Sequence, residues 1–70
     1  MKMGASEHIK MALKAKGLTQ KILAEKLGKP VQTVYNTINR DGMTYTQVER
    51  YAEAIGCEVV FRDKETGEIY

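Results

Sequence analysis

The sequence predicts a mainly α domain of four to five helices that ends in a β-hairpin. Three observations carry this expectation. Apolar residues recur at helical spacing as far as Ile55: Ile9 with Leu13, Leu23 with Leu27, Val34 with Ile38, then Val48, Tyr51, Ala52 and Ile55. Gly17, Gly28 and Gly56 follow three of these runs, where a helix end favours positive φ. Beyond Gly56 the period changes, and Glu58-Val59-Val60-Phe61-Arg62 is β-branched and aromatic.

Four helices are read directly. Ser6 is the expected cap of a first helix running to about Lys16, with Ile9 and Leu13 facing the core and Gly17 ending it. Thr19 is placed to cap the orphan amides of a second helix from about Gln20 to Leu27. Within it Ala24 is small where a crossing helix must come close. Pro30 has a fixed φ that suits the start of a third helix, from about Val31 to Asn39. Val34 and Ile38 face inward, and Gln32 and Asn36 lie four apart on a different face. Asn39-Arg40-Asp41-Gly42 is a turn by composition. Thr44-Tyr45-Thr46-Gln47 is a capping box that opens a fourth helix, closed by Gly56 after Ile55. In the hairpin, Val59 and Phe61 share one face and Val60 takes the other. Lys64-Glu65-Thr66-Gly67 suits a type I turn with glycine in the left-handed position, and Glu68-Ile69-Tyr70 pairs back.

The second and third helices, joined by a tight turn, have the layout of a helix-turn-helix, whose second helix enters the DNA major groove. The stretch Leu18-Thr19-Gln20-Lys21-Ile22-Leu23-Ala24-Glu25-Lys26-Leu27-Gly28, followed by Val31-Gln32-Thr33-Val34-Tyr35-Asn36, resembles the Cro and lambda-repressor-like helix-turn-helix family of phage and bacterial regulators. The resemblance covers roughly Ile9 to Gly56. Its most specific parts are Thr19-Gln20, Leu23-Ala24, Leu27-Gly28, Thr33-Val34 and the later Ala52-Glu53-Ala54-Ile55-Gly56. Two departures stand out. Ile22 replaces a usually exposed polar residue, and Pro30 replaces a usual Ser or Thr cap. The expected architecture is therefore a lambda-repressor-like helix-turn-helix DNA-binding domain over residues 1–56. Residues 57–70 form a C-terminal β-hairpin of the same domain, for dimerisation or for capping the core.

Composition narrows the function. Seventy residues make one small domain with a marginal core. One cysteine, Cys57, excludes an intramolecular disulfide and a cysteine-rich zinc site, and His8 is the single histidine. No apolar run approaches the ~20 residues of a membrane span. Met1-Lys2-Met3-Gly4 lacks the apolar core of a signal peptide. A reduced, cytoplasmic location is expected. The net charge is only +2, but it is unevenly spread. Up to Arg40 there are Lys2, Lys10, Lys14, Lys16, Lys21, Lys26, Lys29 and Arg40 against Glu7 and Glu25 alone. After it, Arg50, Arg62 and Lys64 face Asp41, Glu49, Glu53, Glu58, Asp63, Glu65 and Glu68. A basic half that carries the helix-turn-helix fits a phosphate-facing surface.

The residues then take expected roles. Gln32 and Asn36 carry amides that can bond adenine edges bidentately and are the best base readers. Val31 can touch a thymine methyl or act as a staple. Tyr35 either covers the core edge with its hydroxyl at a phosphate or stacks in the groove. Thr19, Gln20, Lys29, Thr33, Asn39 and Arg40 are the candidate phosphate contacts: Gln20 from its place at the amino end of the second helix, Lys29 from its place in the turn, Asn39 and Arg40 by resemblance, and Thr33 partly buried between helices. Lys10 and Lys14 read as solvated helix charges. Val59, Val60, Phe61 and Ile69 are the candidate dimerisation residues, because an isolated hairpin is marginal in water and must pack on something. No carboxylate pair, nucleophile with base, phosphate loop or metal spacing emerges, so neither an enzyme nor a cofactor is expected. The expected partner is double-stranded DNA with a pseudo-palindromic operator, bound by a homodimeric regulator of Cro or repressor type. No membrane and no small-molecule ligand are expected. Two other readings compete. One is a DNA-binding antitoxin of a toxin–antitoxin pair, and the other a protein-interaction module on the same scaffold.

Overall fold

A computed structural model of the chain describes residues 4–40 and 42–70. Four helices follow one another: α1 (Ala5–Ala15), α2 (Gln20–Leu27), α3 (Val31–Ile38) and α4 (Tyr45–Ile55). Asp41, one of the four residues of the expected 39–42 turn, and the leading residues 1–3 lie outside the described residues.

The helix ends follow local chemistry. Thr19 Oγ1 accepts the Ile22 amide at 3.2 Å at the start of α2. At α4 the capping box is complete. Thr44 Oγ1 accepts the Gln47 amide at 3.1 Å, and the Thr44 amide donates to Gln47 Oε1 at 3.0 Å. Gly28 and Gly56 take left-handed φ of 66° and 86°. That turn of the chain lets the Lys29 and Cys57 amides reach back to the Ala24 and Ala52 carbonyls, at 3.0 and 2.8 Å.

One cap differs from expectation. The residue that precedes α1 is Gly4, and Ser6 lies inside the first turn. Starting at Ala5 puts Glu7 in that turn, where its charge favours the positive end of the helix dipole. Glycine is nearly as good a cap as serine, so the cost is small. The Ser6 hydroxyl instead lies 3.5 Å from the Arg40 carbonyl, across the domain.

All four helices contribute to one core. Ile9, Leu13, Leu23, Ala24, Val34, Ile38, Tyr51 and Ile55 form its buried cluster, edged by Ala12, Leu18, Leu27, Met43 and Ala54. Helix α2 packs on α3 and α4, while α1 packs on α4 and α3. Ala24 is buried, as the close approach of α2 to its neighbours requires. Thr37 is the buried polar residue of α3, and its hydroxyl donates to the Thr33 carbonyl one turn back at 2.9 Å. Among the described residues no buried side-chain polar atom lacks a partner. Lys16, just past α1, stretches to the far end of α4 and donates to the Ile55 carbonyl at 2.8 Å. The cation thereby satisfies an orphan carbonyl and sits at the negative end of the helix dipole.

The C-terminal arm is less regular than its sequence predicts. Its turn forms: Asp63 Oδ1 accepts the Glu65 and Thr66 amides at 2.8 and 3.1 Å, and Gly67 takes a φ of 77°. These two amides hold the Asp63 carboxyl below its ordinary pKa. Beyond the turn there is a single antiparallel bridge, Arg62 to Ile69, and no strand among the described residues. The physical reason is the lack of a face to bury. Phe61 is 68% exposed, Ile69 51% and Tyr70 76%. A two-stranded ladder without a covered face is marginal in water. The expected alternation of faces also fails. Val59 is half-buried, and Val59 and Val60 both line a groove of about 610 Å³ between α1 and α4. Phe61 instead stacks on Tyr45 at the start of α4, with ring centroids 6.5 Å apart.

Candidate nucleic-acid interface

Helix α3 has two unlike faces. Val34, Thr37 and Ile38 are buried, and their spacing is that of one helical stripe. The opposite side presents Val31, Gln32, Tyr35 and Asn36 to solvent, with Val31 49% and Tyr35 53% exposed. The four expected base-reading residues therefore share one outward face. The helix enters from Pro30, at φ −61° and ψ 143°, whose carbonyl accepts the Thr33 and Val34 amides at 3.0 and 3.3 Å. Proline has no side-chain acceptor, so the Val31 and Gln32 amides gain no side-chain cap from it. On the outward face Gln32 Nε2 donates to Asn36 Oδ1 at 3.0 Å.

The expected phosphate contacts are spread from the amino end of α2, through the α2–α3 turn and α3, to just past α3. Thr19 and Gln20 stand at the amino end of α2, Thr19 exposed and Gln20 half-buried. Lys29 is exposed in the α2–α3 turn. Thr33 is exposed as well, which corrects the expectation that it is partly buried between helices; Thr37, one turn on, takes the inner position. Arg40 is exposed just past α3.

Asn39 is tied within the chain on both sides. Its Nδ2 donates to the Tyr35 carbonyl at 2.8 Å, and its Oδ1 accepts Lys10 Nζ at 2.8 Å. Sequence reasoning placed Lys10 among the solvated charges of α1. The structure brings it to Asn39 at the carboxyl end of α3. The signal was absent from local sequence because the partners are 29 residues apart. Cations at this helix end complement the helix dipole and add positive charge to the flank of α3.

Charge follows the same division. Lys10 and Lys14 on α1, Lys21 and Lys26 on α2, and Lys29 and Arg40 at the ends of α3 are all exposed. Glu49 and Glu53 on α4, and Glu58, Asp63, Glu65 and Glu68 on the arm, belong to the other half of the chain. Among the described residues no three His, Cys, Asp or Glu gather as metal ligands, and no helix is long and apolar enough to cross a membrane.

No curated protein and no solved structure matches the chain. A family model described as helix-turn-helix does, over residues 9–61. That span takes in most of α1, all of α2, α3 and α4, and the start of the arm. Membership implies DNA binding. The chain belongs to the Cro and lambda-repressor-like helix-turn-helix family.

Proposed function

We propose that this protein is a small transcription regulator of Cro or repressor type, which binds a pseudo-palindromic operator as a homodimer in the cytoplasm. The observation that carries the reading is the outward face of α3, where Val31, Gln32, Tyr35 and Asn36 stand opposite the buried Val34 and Ile38. A helix of this exposure fits the major groove, and amide side chains can bond base edges there. Gln20, Lys29 and Arg40 flank it as phosphate contacts, joined by Lys10. Such contacts fix the register on the duplex and supply most of the affinity.

Dimerisation is supported by the arm. Phe61 and Ile69 are more than half exposed, and Val59 and Val60 lie along the apolar groove between α1 and α4. A second copy would cover this surface. One recognition helix reads only a few base pairs, and two of them about 34–36 Å apart read a site long enough to be specific. Regulation is then by occlusion of the operator.

Selection from a random duplex pool tests the reading. The expected product is an enriched site with two-fold symmetry, bound by two chains. Failure to enrich any sequence overturns specific binding. An asymmetric site bound by one chain overturns the dimer while leaving α3 as the reading helix.

A further inference from the structure

Gln32 and Asn36 are exposed, so the hydrogen bond between them is not a device for satisfying buried groups. An amide pair spaced i to i+4 also adds little to the helix itself. Its consequence for base reading is larger. A carboxamide offers one acceptor oxygen and one nitrogen with two hydrogens. Gln32 uses one Nε2 hydrogen on Asn36 and keeps its Oε1 and the second hydrogen. That remaining acceptor and donor match adenine N6 and N7 in the major groove. Asn36 is left the other way round. One of the two lone pairs of its Oδ1 is taken by Gln32, whereas both Nδ2 hydrogens have no partner among the described residues, so its free edge is the richer in donors. A donor of this kind suits the O6 and N7 acceptors of guanine or the O4 of thymine, and it opposes cytosine, which presents the N4 donor.

Resting on the reading that α3 enters the groove, we propose that Gln32 and Asn36 act as one hydrogen-bonded unit with fixed polarity. Gln32 specifies adenine, and Asn36 specifies a base with an acceptor edge, guanine before thymine. Asn36 thereby acts as a positioning residue for Gln32 as well as a reader. The two amides do not read independently, although either one alone could bond adenine bidentately.

The test compares base preferences of the intact chain with those of three variants, each selected from the same random duplex pool. The base pair read by Gln32 is the one whose preference disappears in Gln32→Ala. Asn36→Ala should reduce the adenine preference at that pair about five-fold, since one neutral hydrogen bond no longer orients the Gln32 amide. Asn36→Asp keeps an oxygen for Gln32 to bond. It should retain adenine there, while its own base pair changes from guanine or thymine to cytosine. A purely structural role for the bond would not move the preference at a base pair that Asn36 does not touch. An adenine preference that survives Asn36→Ala, or that falls as far in Asn36→Asp, overturns the coupling with the α3 reading intact. A base other than adenine at the Gln32 pair overturns it too. If the unaltered chain enriches no site, the α3 reading itself fails, and the coupling with it.

Discussion

Replacing Gly56 by alanine probes the one point where α1 and α4 are tied end to end. Gly56 has a φ of 86° and Gly28 a φ of 66°, so both sit in the left-handed region. An L-residue there costs about 1–2 kcal/mol. The two sites differ in their surroundings. A Cβ at Gly28 meets nothing within 4 Å, whereas a Cβ at Gly56 lies 2.8 Å from Lys16 Nζ. The lysine is flexible and moves aside, but the Ile55 carbonyl then loses its 2.8 Å bond. A cation at an exposed helix C-terminus contributes about 0.3–1 kcal/mol. Gly28→Ala should therefore cost about 1–2 kcal/mol and Gly56→Ala about 1.3–3 kcal/mol. At roughly 0.05–0.15 kcal/mol per residue, the larger loss is a substantial part of the stability of a chain this size. Urea titration with an unchanged m-value measures both. In a Lys16→Met background the Gly56→Ala cost should fall to that of Gly28→Ala, a coupling of about 0.3–1 kcal/mol. Equal costs at the two glycines, with an additive cycle, would refute the role of Lys16 as the cap of α4.

Three further outcomes follow from the same geometry. Arg40→Ala should weaken binding to specific and scrambled duplexes alike and flatten the salt dependence by about one unit of slope, whereas neutral Gln20→Ala should weaken binding with the slope unchanged; an unaltered slope in Arg40→Ala removes that residue from the footprint. Truncation after Gly56 should yield a monomer that binds operator far more weakly than the full chain does, and Ile69→Lys, at a half-exposed position outside the groove, should act in the same direction; sedimentation at micromolar concentration decides it, and a full chain that runs as a monomer with and without DNA refutes the dimer. The Asp63 carboxyl, held below its ordinary pKa by the Glu65 and Thr66 amides, should steady the 63–67 turn above that ordinary value and release it as pH falls through the lowered one; a carboxyl resonance that titrates like that of a free aspartate contradicts the turn.

The helices were legible because their signals are short-range. Thr19 caps α2 through a bond three residues long, and Thr44 and Gln47 cap α4 in the same way. The left-handed glycines follow from sterics at single positions. The outward face of α3 was equally legible, since burying Val34 and Ile38 at helical spacing leaves Gln32 and Asn36 on another side. Thr33 was misread because Thr37 offers the same chemistry one turn later, and a hydroxyl bonded to its own helix can be buried at little cost. Ser6 was misread because a glycine cap two residues earlier is almost as good.

The sequence by itself determined the four helices, most of their ends and which side of α3 faces outward, because each is decided by neighbours within a turn or two. Only the tertiary structure decided the rest. It brought Lys16 to the end of α4, 39 residues away, and Lys10 to Asn39, 29 residues away. It also left the arm with one bridge instead of a ladder. Strand pairing needs a buried face to offset the ordering of the chain, and composition alone cannot say which surface supplies one. In the arm, Val59 and Val60 lie along the groove beside α1 and α4, and Phe61 stacks on Tyr45, while Phe61, Ile69 and Tyr70 stay largely exposed, so the two segments have no covered face within the chain.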